Sequence, residues 1–179
     1  MSASTEAAIR AWAEKRRLPQ AHLQRWLELG EADRAALLEL AVRLNLRTAQ
    51  LATALDLLDE IALRGGHSLG AILRRAELRS IVEGPGSGPE RAHATLQKLR
   101  ELRFPALALT LKRLQERIAA LRLPREITML LPKDLSSDEL RIQLSLRSAD
   151  DLRDALRALE QRADAIAQIA AILGGEQRN

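Results

Sequence analysis

Four side chains within a seven-residue stretch, Arg47, Thr48, Gln50 and Thr53, have the chemistry of a nucleic-acid contact. A glutamine can pair through two hydrogen bonds with adenine, and arginine and threonine can hold phosphate oxygens. Other reactive residue types are scattered. The chain has no cysteine, which removes disulfides, thiolate nucleophiles and cysteine zinc sites. His22, His67 and His93 are far apart in the sequence and stand away from carboxylate clusters, so neither a metal site nor a histidine-based nucleophile is expected. The run Gly84-Pro85-Gly86-Ser87-Gly88-Pro89 lacks the lysine-serine ending of a phosphate loop and follows no strand; it reads as a linker. Asp134, Asp138, Asp150 and Asp151 read as loop and cap acids. The expectation is therefore no enzymatic activity, no cofactor, no metal and no small-molecule substrate.

Composition points the same way. Of 179 residues, 46% are hydrophobic, enough for a packed core, but only 2% are aromatic. That scarcity counts against base-stacking platforms and against a large β-sandwich. No apolar run reaches the ~18–20 residues of a membrane span, and Met1 to Arg10 contains no secretory hydrophobic block. These features predict a cytoplasmic protein without a membrane partner. The net charge of +4 is unevenly spread: residues 1–90 are neutral, residues 91–125 carry +7 and residues 126–179 carry −3. A central basic segment of this kind points to a polyanion, although a solvated helix face would show the same run.

The elements that must position these residues are mostly helices. Leucine and alanine at helical spacing predict helices over 5–17, 19–29, 31–44, 48–63 and 69–82, with Trp12 and Trp26 as core or interface anchors. Within Leu37 to Leu55, a small Ala41 allows close helix approach. Asn45 suits a left-handed turn position, Thr48 can cap the next helix, and Leu51 and Leu55 return to the core. These offsets are those of a helix-turn-helix. An alanine-rich helical hairpin fits them too, and Asp56, Asp59 and Glu60 on the second helix would repel phosphate if they faced it.

Past the Gly/Pro run the pattern changes. Leu107, Leu111, Leu114, Ile118 and Leu121 form a helical seam, and Ile127 to Leu131 reads as a short strand. Pro132 to Asp138 reads as a loop. Leu140, Ile142, Leu144 and Leu146 alternate with polar residues as a half-buried strand. Ser148 and Asp151 resemble a capping box opening one long helix through Leu152, Leu156 and Leu159 to Leu173. Two strands alone are marginal in water, so a two-fold dimer joining two hairpins is expected, with Leu140, Ile142, Leu144, Leu146, Leu152, Leu156 and Leu159 at its interface.

The stretches LRIQLSLRSADDLRDALRAL, LDLLDEIALRGGHSLGAIL, LRELRFPAL and LRLPREITMLLP, in a chain ordered helix-turn-helix, connector, α-β-β-α, resemble ParB-type partition proteins over roughly residues 18–173. The family's N-terminal nucleotide-binding domain, with its GERR-like motif, has no counterpart in residues 1–17, so CTP binding, clamp closure and sliding are not implied. The family's reading helix is more basic than Thr48 to Leu63, and its lysine-rich sheet face is represented here only by Arg141 and Arg147.

The resulting expectation is a mostly α fold. A helix-turn-helix module (1–83) is followed by a linker (84–89), a basic helical connector (90–106) and an α-β-β-α dimerisation unit (107–179). The chain would bind duplex DNA as a homodimer in partition or transcriptional control, near the nucleoid. Arg43, Arg47, Thr48, Gln50 and Thr53 would act in the helix-turn-helix, with Lys98, Arg100, Arg103, Arg113 and Arg117 on phosphates. A protein–protein adaptor or dimeric scaffold is the alternative. Contact of residues 1–90 with a partition ATPase is a third reading, without specific support in the residues.

Overall fold

A computed structural model describes residues 2–132 and 139–174 of the chain. The fold is mostly helical, with a small α+β portion, and divides into two units, 1–104 and 105–179. The division falls at Phe104/Pro105 and not at the Gly/Pro run, because the expected connector is packed into the first unit.

In that unit, α1 (Ser2–Arg16), α2 (Gln20–Glu28), α3 (Glu31–Arg43), α4 (Thr48–Gly65), α5 (Leu69–Leu73), α6 (Ala76–Val82) and α7 (Gly88–Arg103) follow one another. Their apolar stripes meet in one core around Trp26, Leu37, Leu51, Leu55, Leu58 and Leu99. Trp26 is fully buried and meets the half-buried Trp12 edge-on, with ring centroids 5.6 Å apart. The indole Nε1–H of Trp26 donates to the Arg34 carbonyl at 3.3 Å, so the ring is buried with its one polar atom satisfied.

The helix expected over 69–82 is broken between α5 and α6. Its core residues explain the break. Leu69, Ile72 and Leu73 keep helical spacing, but the next fully buried residue is Leu78, five positions on, which a continuous helix would carry off the core face. Glycine suits position 70: its N–H donates to Asp33 Oδ1 at 2.7 Å, and a Cβ would lie 2.9 Å from that oxygen, so a larger residue would have to displace the Asp33 side chain. Helix α7 opens on a capping box, with Ser87 Oγ accepting from the Glu90 N–H and Glu90 accepting from the Ser87 N–H. It then buries Ala92, Thr95, Leu96 and Leu99, an i, i+3, i+4, i+7 stripe that lies against α4 and α6.

The second unit contains α8 (Pro105–Ala120), β1 (Ile127–Leu130), β2 (Arg141–Leu144), α9 (Ala149–Glu160) and α10 (Ala163–Leu173). The strands pair antiparallel, with Ile127 opposite Leu144 and Met129 opposite Ile142. Opposed residues share a face, so these four form the apolar side of the hairpin. Residues 133–138 of the expected loop lie outside the described residues. The long helix expected after Ser148 is two helices. Arg162 sits at the break, its Nε donating to the Leu121 carbonyl at 2.6 Å and a terminal nitrogen to the Ala158 carbonyl at 3.0 Å. One guanidinium thus satisfies carbonyls at the ends of both α8 and α9. Leu114, Ile169 and Leu173 form one small core; Ile127, Ala155 and Ala158 form another.

Candidate nucleic-acid interface

The angle between α3 and α4 is set by four residues. Asn45 adopts φ 51°, the left-handed conformation that asparagine tolerates better than other side-chain-bearing residues. Around it, the Leu46 N–H donates to the Ala41 carbonyl at 3.0 Å and the Asn45 N–H to the Val42 carbonyl at 3.1 Å. This pair of bonds closes a helix end and turns the chain. Ala41, Leu44, Leu46, Leu51 and Leu55 are all buried beneath the turn.

Thr48 does not cap α4. Arg47 occupies the cap position, and Thr48, one residue later, donates its hydroxyl to the Arg16 carbonyl at 2.8 Å. The threonine is spent on an orphan carbonyl at the end of α1, which anchors α1 beside the turn. The helix start is held by Gln50, whose Oε1 accepts the Arg47 N–H at 2.9 Å. The Gln50 amide nitrogen has no hydrogen-bond partner among the described residues. Thr53 returns its hydroxyl to the Ala49 carbonyl at 2.9 Å. The Arg47 side chain is exposed, and no acid pairs with it among the described residues.

The acids further along α4 are each held by a cation. Arg25 on α2 bridges Asp56 at 2.7 Å and Asp59 at 2.6 Å. Asp59 first, and then Asp56, push the Arg25 guanidinium further above its usual range. Arg103 on α7 bonds Glu60. The charge that counted against phosphate approach is therefore largely neutralised within the unit, and the acids act as ties from α4 to both flanking helices.

The remaining expected residues separate into three groups. Arg43 turns away from the α3–α4 turn: it pairs with Glu39 at 3.2 Å and Glu83 at 3.6 Å, on a groove of about 590 Å³ between α3 and α5–α6. Lys98 pairs with Glu101 at 3.3 Å and Glu77 at 3.8 Å, and Arg103 is committed to Glu60. These three are structural partners of acids: Glu39 and Glu101 lie one helical turn away, while Glu83, Glu77 and Glu60 are brought close by the fold. Arg100 is exposed on α7 and belongs to the first unit; Arg113 and Arg117 are exposed on α8 and belong to the second. No ion pair engages these last three among the described residues. The +7 segment is thus divided between two units, with part of its charge internally compensated.

Of the expected dimer residues, Leu140 packs with Leu114, Ile169 and Leu173, and Leu144 and Leu159 pack with Ile127, Ala155 and Ala158. Those three leucines are largely used within the chain. Ile142, Leu146, Leu152 and Leu156 stay exposed, Leu156 at 54%.

Among the described residues, no group of three histidine or acidic side chains converges as a metal-ligand set, and no helix is long and apolar enough to cross a membrane. Comparison with known protein families, curated proteins and solved structures finds no match.

Proposed function

We propose that this chain binds duplex DNA as a homodimer, with the α3–α4 helix-turn-helix as the reading element and exposed arginines on phosphates. The supporting observation is the charge arrangement on α4. Its N-terminal end offers Arg47 and the Gln50 amide nitrogen, neither with a partner among the described residues, while Asp56, Asp59 and Glu60 at the far end are bound by Arg25 and Arg103. A helix entering the major groove with its first turn needs this polarity. Arg47 and Gln50 would contact the DNA, and Arg100, Arg113 and Arg117 would add sequence-independent contacts. Exposed Ile142, Leu146, Leu152 and Leu156 would join two copies, which presents two reading helices to a two-fold site. Partition or transcriptional control at the nucleoid is the cellular role this reading entails, in line with the ParB-type resemblance.

Among the described residues, the exposed large apolar residues of the first unit are Val42, Leu63 and Phe104, on α3, on α4 and just past α7. The adaptor reading asks for one contiguous apolar patch there, and it has less support than the DNA reading. A binding series with Arg47→Ala/Gln50→Ala on duplexes of differing sequence tests the proposal: sequence preference should be lost while most non-specific affinity is retained. Wild-type protein that does not bind any duplex at about 50 mM salt would refute it.

A further inference from the structure

The neutral charge of residues 1–90 conceals a polarised surface. The end of α1 carries Lys15, Arg16 and Arg17 in succession, and the fold brings this run to the α3–α4 turn by two bonds. The Thr48 hydroxyl donates to the Arg16 carbonyl at 2.8 Å, and the Arg16 guanidinium donates to Asn45 Oδ1. Arg16 also lies over the Trp12 ring, 6.0 Å from its centroid. Arg16 is thus the fixed post, and Lys15 and Arg17 flank it, both exposed and both without an acid partner among the described residues. Arg47, next to Thr48, completes the cluster. The one acid in the same turn is Glu14, exposed, so the patch is strongly positive.

Arg17 adds a backbone observation. It adopts φ 55°, with its N–H on the Glu14 carbonyl at 3.1 Å and the Leu18 N–H on the Ala13 carbonyl at 2.9 Å. Glycine or asparagine fits that position more readily than arginine does. The conformation carries the chain away from α1 and leaves the Arg17 side chain at the outer edge of the turn.

We infer that the cationic end of α1, through Lys15 and Arg17, is a phosphate-holding surface that flanks the reading helix on duplex DNA. The inference rests on the DNA reading proposed above. It adds a contact that the sequence assigns to a neutral segment. Phosphate contacts fix the register of a reading helix without reading bases, and each releases counterions. The two roles are therefore separable: Gln50 with Arg47 would govern which sequence is bound, and Lys15 with Arg17 how steeply binding falls with salt.

The test uses the full chain and a fluorescent duplex in a salt series, comparing wild type with Lys15→Gln/Arg17→Gln. Loss of two phosphate contacts per chain, four per bound dimer, should make the slope of log K against log salt shallower by about 3.6, with sequence preference unchanged. Lys15→Arg/Arg17→Lys should keep the wild-type slope. Circular dichroism and the melting temperature serve as controls, since both side chains are exposed. A wild-type slope in the Gln variant overturns the inference and leaves the DNA reading standing. So does a lowered melting temperature with an unchanged slope, which would make the cations helix-end stabilisers only. Wild-type protein that binds no duplex overturns both. Binding of polyglutamate that the Gln variant loses, with duplex affinity intact, would assign the patch to an acidic protein and likewise overturn it.

Discussion

The two units are built from similar leucine- and alanine-rich helices, yet they use them differently. The first gathers nineteen buried residues into one continuous core. Among the described residues, the second holds two separate clusters of three buried residues each, while Leu109, Leu130, Ile142, Leu146, Leu152 and Leu156 remain exposed. Charge follows the same division. Ion pairs in the first unit tie distant helices together: Arg25 to Asp56 and Asp59, Arg43 to Glu83, Lys98 to Glu77, Arg103 to Glu60. Arg141–Glu139, Arg153–Asp150 and Arg157–Asp154 in the second join residues close in the chain. One unit specifies its own tertiary structure; the other leaves apolar surface for something else to cover, which in the proposed assembly is a second copy.

The sharpest way to break this comparison is to delete core volume on each side. Leu55→Ala, at a fully buried position, should cost about 2–5 kcal/mol in denaturant unfolding. Leu156→Ala, at a position 54% exposed, should change the stability of the isolated chain by less than about 0.5 kcal/mol. Equal costs would mean that the two units are equally self-sufficient.

Next comes assembly. Leu152→Glu/Leu156→Glu should convert a dimer into a monomer in sedimentation at micromolar concentration, and should remove the concentration dependence of melting. A wild type that is already a monomer would mean that the exposed leucines of α9 do not join two copies.

Smaller still is the effect of releasing the acids of α4. Arg25→Ala leaves Asp56 and Asp59 uncompensated, and duplex affinity should fall several-fold at low salt. Asp56→Asn/Asp59→Asn in the same background should restore it. An affinity indifferent to both would show that these carboxylates lie away from the DNA.

The smallest effect concerns a device that the units share. Glu90 caps α7 and Asp151 caps α9. The Ser87 backbone N–H, followed by its hydroxyl, holds the Glu90 carboxyl below the usual range; the Arg147 backbone N–H, followed by the Ser148 hydroxyl, does so for Asp151. A depressed carboxyl pKa stabilises the fold above the unfolded-state value and loses that contribution as pH falls through the folded-state value. Both helices should therefore weaken below about pH 4. Ser148→Ala should cost about 1 kcal/mol near neutral pH, read from thermal unfolding.

Much of this architecture was legible in the residues. Helical periodicity locates most of the helices, Asn45 marks its left-handed turn, and Ser148 with Asp151 announces a cap, because each is a local device. What was not legible depends on partners distant in the chain. The Thr48 hydroxyl looks like a cap until the Arg16 carbonyl arrives from thirty-two residues away. Arg103 looks free until Glu60 folds against it, and Arg43 and Lys98 gain the distant Glu83 and Glu77 beside their local partners Glu39 and Glu101. The break at Arg162 depends on the end of α8, and the run Lys15 to Arg17 gains its setting only when α1 meets the turn. A charge count by segment cannot see these pairings, so a net-neutral stretch can hold exposed Lys15 and Arg17 beside the start of α4, with no acid partner among the described residues.

The central claim is that the first turn of α4 reads duplex DNA. Anisotropy of a labelled duplex library, titrated with wild type and with Arg47→Ala/Gln50→Ala from about 50 to 200 mM salt, tests it most directly. Both proteins should show steep salt dependence, and the wild type alone should show sequence preference. No wild-type binding at the lowest salt, or a preference that survives the double substitution, would contradict it.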